Sequence, residues 1–292
     1  MDRRTSLVIN FRYHIVSLGA VLIALAVGIT VGVAFTNADE SGPSGSESRA
    51  DAAEQAFETA FADASSGIVG TGLTDRRVVV VTTPGAKTAE VDDLTARIGA
   101  AGGTVVGEVA LTTKLLDSAN RQFAEQIAEQ SASDVPGVQA ADDSYTRIGA
   151  ALARALMGDG ELDERATTIR SAFEQGGLID LPSAPSQSAD LALVVIGPTS
   201  ADSARGEILA DLTAQLATSG AGGALVGPST TSVDGGVLDQ VRSIDGSGSF
   251  ATVDVTDLAA GRLVSVLALV RSASGENGAW GTTRSADGQL PQ

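Results

Sequence analysis

Three short turns hold the residues of this chain best suited to gripping a small polar ligand: Thr82-Thr83-Pro84-Gly85, Gly197-Pro198-Thr199-Ser200 and Gly227-Pro228-Ser229-Thr230. Each follows an apolar run of strand length. Ligands of open α/β sheets bind beyond the carboxyl ends of the strands. Thr82, Thr83, Thr199, Ser200, Ser229 and Thr230 would therefore line one crevice with hydroxyls and backbone amides. The same residue types also build ordinary strand-to-helix turns, in which Ser or Thr caps the helix. Neither GxGxxG after a strand nor GxxxxGK[ST] is present, so the turns carry no phosphate fingerprint.

The remaining inventory narrows the chemistry further. There is no cysteine, one histidine (His14) and two methionines, Met1 and Met157. A thiolate nucleophile, a disulfide framework and a zinc ribbon are excluded, as is a Ser-His-Asp triad beyond residue 14. Soft ligands, which select Cu(I), reduce to the two methionines. The acid pairs Asp92-Asp93, Asp142-Asp143 and Asp163-Glu164 are candidates for weak hard-cation sites, but adjacent acids on a helix point in different directions. Asp254 and Asp257 close the last predicted strand, and Asp257 also suits a helix cap. No catalytic or cofactor-binding set converges, and no metal ligand can be named.

Charge sets the kind of partner. The chain has 19 basic and 36 acidic residues, net −17; without residues 1–14, which hold three Arg and one Asp, it keeps 16 against 35, net −19. Such a surface disfavours nucleic acid and anionic lipid.

The element that places these residues in a compartment is Ile15–Phe35, 21 residues without a charge, preceded by Arg3, Arg4 and Arg12. At about 1.5 Å per residue it crosses a hydrocarbon core of roughly 30 Å, and the arginines hold the N-terminus in the cytoplasm. It reads as a single membrane-spanning helix, with residues 1–14 cytoplasmic and the rest exported. A cleaved signal peptide is the rival reading; its apolar region is usually shorter, and Thr36-Asn37-Ala38 is a poor cleavage site. Ala20, Ala24, Gly28 and Gly32 recur every four residues, a small-xxx-small ridge that predicts a homodimer in lipid.

Residues 36–50 read as a flexible linker, and 51–66 as a short amphipathic helix with Phe57 and Phe61 on its apolar stripe. From residue 74 to 272 strands alternate with helices, which predicts an α/β domain: a mainly parallel sheet flanked by helices, of the Rossmann/flavodoxin-like kind. Strands are expected at Val78–Val81, Val105–Leu111, Leu191–Ile196, Gly223–Val226 and Phe250–Val255. Helices are expected over Thr88–Ala101, Leu115–Ser131, Tyr145–Met157, Asp163–Gln175, Ala204–Thr218 and Val237–Val241, with Leu263–Val270 helical or extended. Gly102-Gly103 and Gly176-Gly177 supply C-terminal stops. Residues 273–292 read as a loose tail, with Trp280 packing onto the sheet.

The membrane block INFRYHIVSLGAVLIALAVGITVGVAF, the strand VVVVTTPGA, the run GGTVVGEVALT and the late GRLVSVLALV together resemble the actinobacterial copper transporter family. The resemblance covers most of the chain outside the linker. It implies a cell-envelope protein concerned with copper homeostasis, with copper as the metal handled and an outer-membrane location. The chain departs from the family's longer heptad-rich helix after the span, and no family ligand maps onto any position. One span makes no pore, because a conduit through lipid needs several helices or a closed barrel. A component of an export route, an envelope scaffold that recruits a cell-wall or division protein, and a small-ligand domain using the strand-end turns are the readings carried forward.

Overall fold

A computed structural model describes residues 69–198, 203–244 and 247–291. The span, its ridge (Ala20, Ala24, Gly28, Gly32), the linker, the amphipathic helix and two crevice residues, Thr199 and Ser200, lie outside the described residues.

The chain forms a seven-stranded sheet in the order β3-β2-β1-β4-β5-β6-β7. The strands are β1 (Arg77–Thr82), β2 (Thr104–Leu111), β3 (Ile179–Ser183), β4 (Leu191–Val195), β5 (Gly222–Val226), β6 (Ala251–Val253) and β7 (Ala279–Trp280). All pairings are parallel except β2 with β3. The central strands are apolar on both faces because helices cover both, which is why Val78–Val81 reads as a continuous β-branched run. Val79 and Val81 face one core cluster, and Val78 and Val80 face the other.

The principal helices are α1 (Thr88–Ala100), α2 (Arg121–Ser131), α3 (Ser144–Leu156), α4 (Glu164–Gln175), α5 (Ser203–Ser219), α6 (Val237–Ser243) and α7 (Ala259–Ser272). α1 and α7 pack on the Val78/Val80 face, and α2 to α6 form the thicker layer opposite. The glycine stops act as expected: Gly102 takes a φ of 86°, its N–H reaches Gly99 O, and the Gly103 N–H reaches Ile98 O. This paired closure satisfies two orphan carbonyls at the end of α1 and turns the chain directly into β2. The same closure ends α4, where Gly177 and Leu178 donate to Glu174 O and Phe173 O.

Three expectations change. The helix expected over 115–131 is broken, because Thr112 and Asp117 turn their side chains onto the backbone N–H groups of Leu115 and Ala119. A single turn at Thr113–Leu116 and a 3₁₀ turn at Ser118–Asn120 precede α2. The four or five buried strands expected are present as β1, β2, β4, β5 and β6, and among the described residues two less buried strands, β3 and β7, extend the sheet at its edges. β3 escaped notice because Ile-Asp-Leu-Pro-Ser is short and carries Pro182, which fits only an edge strand.

The segment read as a loose tail is instead tied to the opposite edge. β7 pairs with β6 through Thr252↔Ala279 and Val253↔Trp280, and Trp280 packs against the α1/α7 core as expected. Beneath it lies a buried ion pair. Arg242 Nη1 is 3.0 Å from Asp254 Oδ2, with side chains 5% and 0% exposed. Arg242 also donates to Thr252 Oγ1, Thr283 Oγ1, Ser285 Oγ and the Trp280 carbonyl, while Asp254 accepts from the Thr282 N–H and the Thr283 hydroxyl. Burial pulls the Arg242 guanidinium below its ordinary range, and Asp254 opposes this.

Candidate functional site

The turns after β1, β4 and β5 do gather at the carboxyl ends of the strands, and β1 and β4 flank the point where the strand order reverses. That is where a ligand crevice belongs. Here the two turns close on each other. A Cβ built on Gly197 would lie 2.1 Å from the Gly85 carbonyl carbon and 2.4 Å from the Ala86 nitrogen, so only a hydrogen at position 197 permits this approach. Thr82 and Thr83 are buried, and the Thr83 hydroxyl accepts the Gly197 N–H at 3.0 Å. Thr83 thus serves the closure, and both threonines are withdrawn from solvent.

On the β5 side, Ser229 donates its N–H and its hydroxyl to the two oxygens of Asp257, at 2.9 and 2.7 Å, and Thr230 is exposed. Asp257 is therefore a clamp on the β5 turn; the residue at the N-terminal boundary of α7 is Leu258. A Ser hydroxyl on a carboxylate resembles half of a nucleophilic pair. Burial pushes the Asp257 carboxyl up, but the Ser229 bonds and the nearby Lys87 outweigh it and hold it below the usual range. A carboxylate held ionised in this way is a weak general base.

Sequence reading missed the polar layer that continues this end of the sheet. The Thr256 hydroxyl donates to the buried Glu90 at 3.1 Å, and Lys87 pairs with Glu90 at 3.0 Å. Asp93 accepts from both Arg97 and Arg262; burial raises its carboxyl, and the two guanidinium bonds overcome this and lower it. Arg262 also reaches the Thr256 carbonyl at 2.9 Å. Between Asp254 and Thr256, Val255 takes a φ of 73°, strained for a β-branched residue. That turn sends Asp254 toward the tail and Thr256 toward Glu90. These groups satisfy one another, and the arrangement locks α1 to α7 and the β6 turn.

The acid pairs resolve into ordinary tasks. Asp143 caps α3 through the N–H groups of Tyr145 and Thr146, and Asp163 caps α4 through that of Ala166. Among the described residues no group of three or more His, Cys, Asp or Glu is placed to hold a metal ion, and no helix is long and apolar enough to cross a membrane.

An open recess occurs in the thicker helical layer. A cavity of about 420 Å³ lies between α2, the turn before α3, and α5, lined by Arg121, Glu125, Asp142, Asp143, Glu207 and Asp211 together with Ser144 and Tyr145. Glu125 binds Arg147 and accepts the Ser144 hydroxyl at 2.8 Å, which joins α2 to α3. Asp211 differs from the other acids: burial, then the charges of Asp143 and Glu207, push its carboxyl up to about 6. The sequence signal was slight, because these carboxylates come from three separate segments.

Comparison with known proteins adds what the geometry does not. A family model described as "Copper transport outer membrane protein, MctB" matches residues 8–291. Proteins named copper transporter MctB, from Mycobacterium bovis and Mycobacterium tuberculosis, are 26% identical over 289 residues, covering 89% of this chain and 92% of theirs. The match runs through every described strand and helix, and on its extent the chain belongs to the MctB family of copper transport outer membrane proteins.

Proposed function

We propose that this chain works in copper handling at the cell envelope as a membrane-anchored, non-enzymatic component of an export route, with copper as cargo and no part in forming the conduit. The observation that carries the reading is the family match over residues 8–291, which takes in both the apolar stretch at 15–35 and the α/β domain. The open sheet supports the second half of it. A strand-built channel must close on itself so that no backbone edge meets lipid, whereas here the sheet runs from β3 to β7 without the two pairing, and helices cover both faces. The closed β1/β4 turns and the depressed Asp257 carboxyl support a non-enzymatic role.

Deletion of the gene is expected to raise cellular copper and sensitivity to copper salts, with both restored by the full chain and not by residues 69–292 produced without the N-terminal segment. Normal copper content in the deletion strain overturns the reading. A second reading, an envelope scaffold, is favoured by the ridge Ala20, Ala24, Gly28 and Gly32. Small residues let two spans approach closely in lipid, and a dimeric anchor would display two acidic domains to a cell-wall or division protein. Gly28→Ile with Gly32→Ile is expected to weaken self-association in a membrane two-hybrid assay; unchanged signal removes the dimer.

A further inference from the structure

Asp211 stands out as a carboxylate that the fold half-buries and gives no partner. It has no hydrogen bond or ion pair among the described residues, although it lies where α5 and α3 pack most closely. Opposite it Gly149 of α3 brings the helices together: a Cβ there would meet the Asp211 carbonyl at 3.2 Å and Gln215 at 3.0 Å. Among the described residues none of the cations on the neighbouring elements pairs with Asp211. Arg147 of α3 binds Glu125, Glu129 and the carbonyls of Val138 and Ala141, and Arg154 binds Asp163. Lys114, on the turn before α2, donates to Gly176 O, and Arg121 of α2 lies over the Tyr145 ring. Arg242 of α6 binds Asp254, and Asp239 of that helix accepts the Gly235 N–H. Arg205 sits six residues before Asp211, on another flank of α5. The charged lining of the cavity around Asp211 is four acids to one cation: Asp143 and Asp142 from the turn before α3, Glu125 from α2 and Glu207 one turn earlier on α5, with Arg121 of α2 held over the Tyr145 ring.

We propose that Asp211 makes the α3–α5 seam a proton-sensitive contact, relaxed when its carboxyl carries a proton and opened by like-charge repulsion when it does not. Asp143 cannot yield, because its charge is held by the cap of α3. Like charges four residues apart on a helix repel, so Glu207 adds to the effect. A proton on Asp211 removes both repulsions and places one donor among acceptors. The shift of its carboxyl to about 6, against about 3.9 in an unfolded chain, runs in the same direction. Because the folded value is the higher one, the stabilisation is complete below about pH 3.9 and is lost as pH rises through about 6.

The test is thermal unfolding of the full chain in detergent between pH 4.5 and 8, for the wild type, Asp211→Asn and Glu207→Gln. The wild type is expected to lose midpoint temperature between pH 5 and 7. Asp211→Asn is expected to flatten that loss and to raise the midpoint at pH 7.5 by about 2–4 °C. Glu207→Gln leaves the seam untouched and is expected to move the loss to lower pH. An Asp211→Asn protein with the wild-type pH profile overturns the proposal. Should that variant fold poorly, the Glu207→Gln profile decides: a lowered midpoint of the loss supports the proposal, and an unmoved one overturns it.

Discussion

Arg242→Met is expected to lower the thermal midpoint by roughly 10 °C and to release residues 279–291 to protease. The side chain it removes holds Asp254, which is 0% exposed, together with two threonines, a serine and the Trp280 carbonyl. Taking one partner from a buried pair leaves the other charge without compensation, which costs about 3–5 kcal/mol, and a chain of this size loses about 2–4 °C per kcal/mol. Adding Asp254→Leu to Arg242→Met is expected to recover part of the loss, since an apolar pair of similar volume carries no desolvation cost. Equal melting of the single and double variants would show that the stranded carboxylate is not the source. Limited proteolysis supplies the local readout, because the tail is held chiefly through this pair and the short β6–β7 pairing.

Gly197→Ala is the second large effect, and it bears directly on whether the sheet keeps a ligand crevice. The added methyl would meet backbone atoms of Gly85 and Ala86, which cannot swing aside as a flexible side chain can. The two turns must part, breaking the bond from the Gly197 N–H to Thr83. Overpacking of this kind costs about 1–3 kcal/mol, and at the upper end the midpoint falls by roughly 6–12 °C. An open ligand crevice predicts the opposite: a methyl would fit in free space, and stability would be unchanged. Differential scanning calorimetry of Gly197→Ala beside a surface control such as Thr230→Ala separates the two.

The pH behaviour of the whole domain combines two directions. Asp93, Asp143, Asp190 and Asp257 all have lowered carboxyls, because hydrogen bonds to arginines, backbone N–H groups or Ser229 outweigh the cost of burial. Their contributions are present above the ordinary carboxylate range and are lost as pH falls through the depressed folded values. Asp211 works the other way and favours lower pH. The two effects place the greatest stability of the domain in mildly acidic solution.

The sequence determined much of this protein because many of its constraints are local. Four consecutive valines at 78–81 specify a strand buried on both faces, since no exposed surface tolerates such a run. Gly102 and Gly177 stop α1 and α4 where a left-handed residue is required. The lack of cysteine and the single histidine exclude whole classes of chemistry without any coordinates. Tertiary structure alone decided the rest, because the deciding contacts join residues far apart in the chain. Gly85 and Gly197 close a crevice that their turns, taken separately, would have opened; Arg242 draws Thr283 and Ser285 onto β6; and Glu125, Asp143 and Asp211 come to face one cavity. Residue type and spacing set which groups are available within a segment, and only the packing of segments sets which charges meet and which are left without a partner.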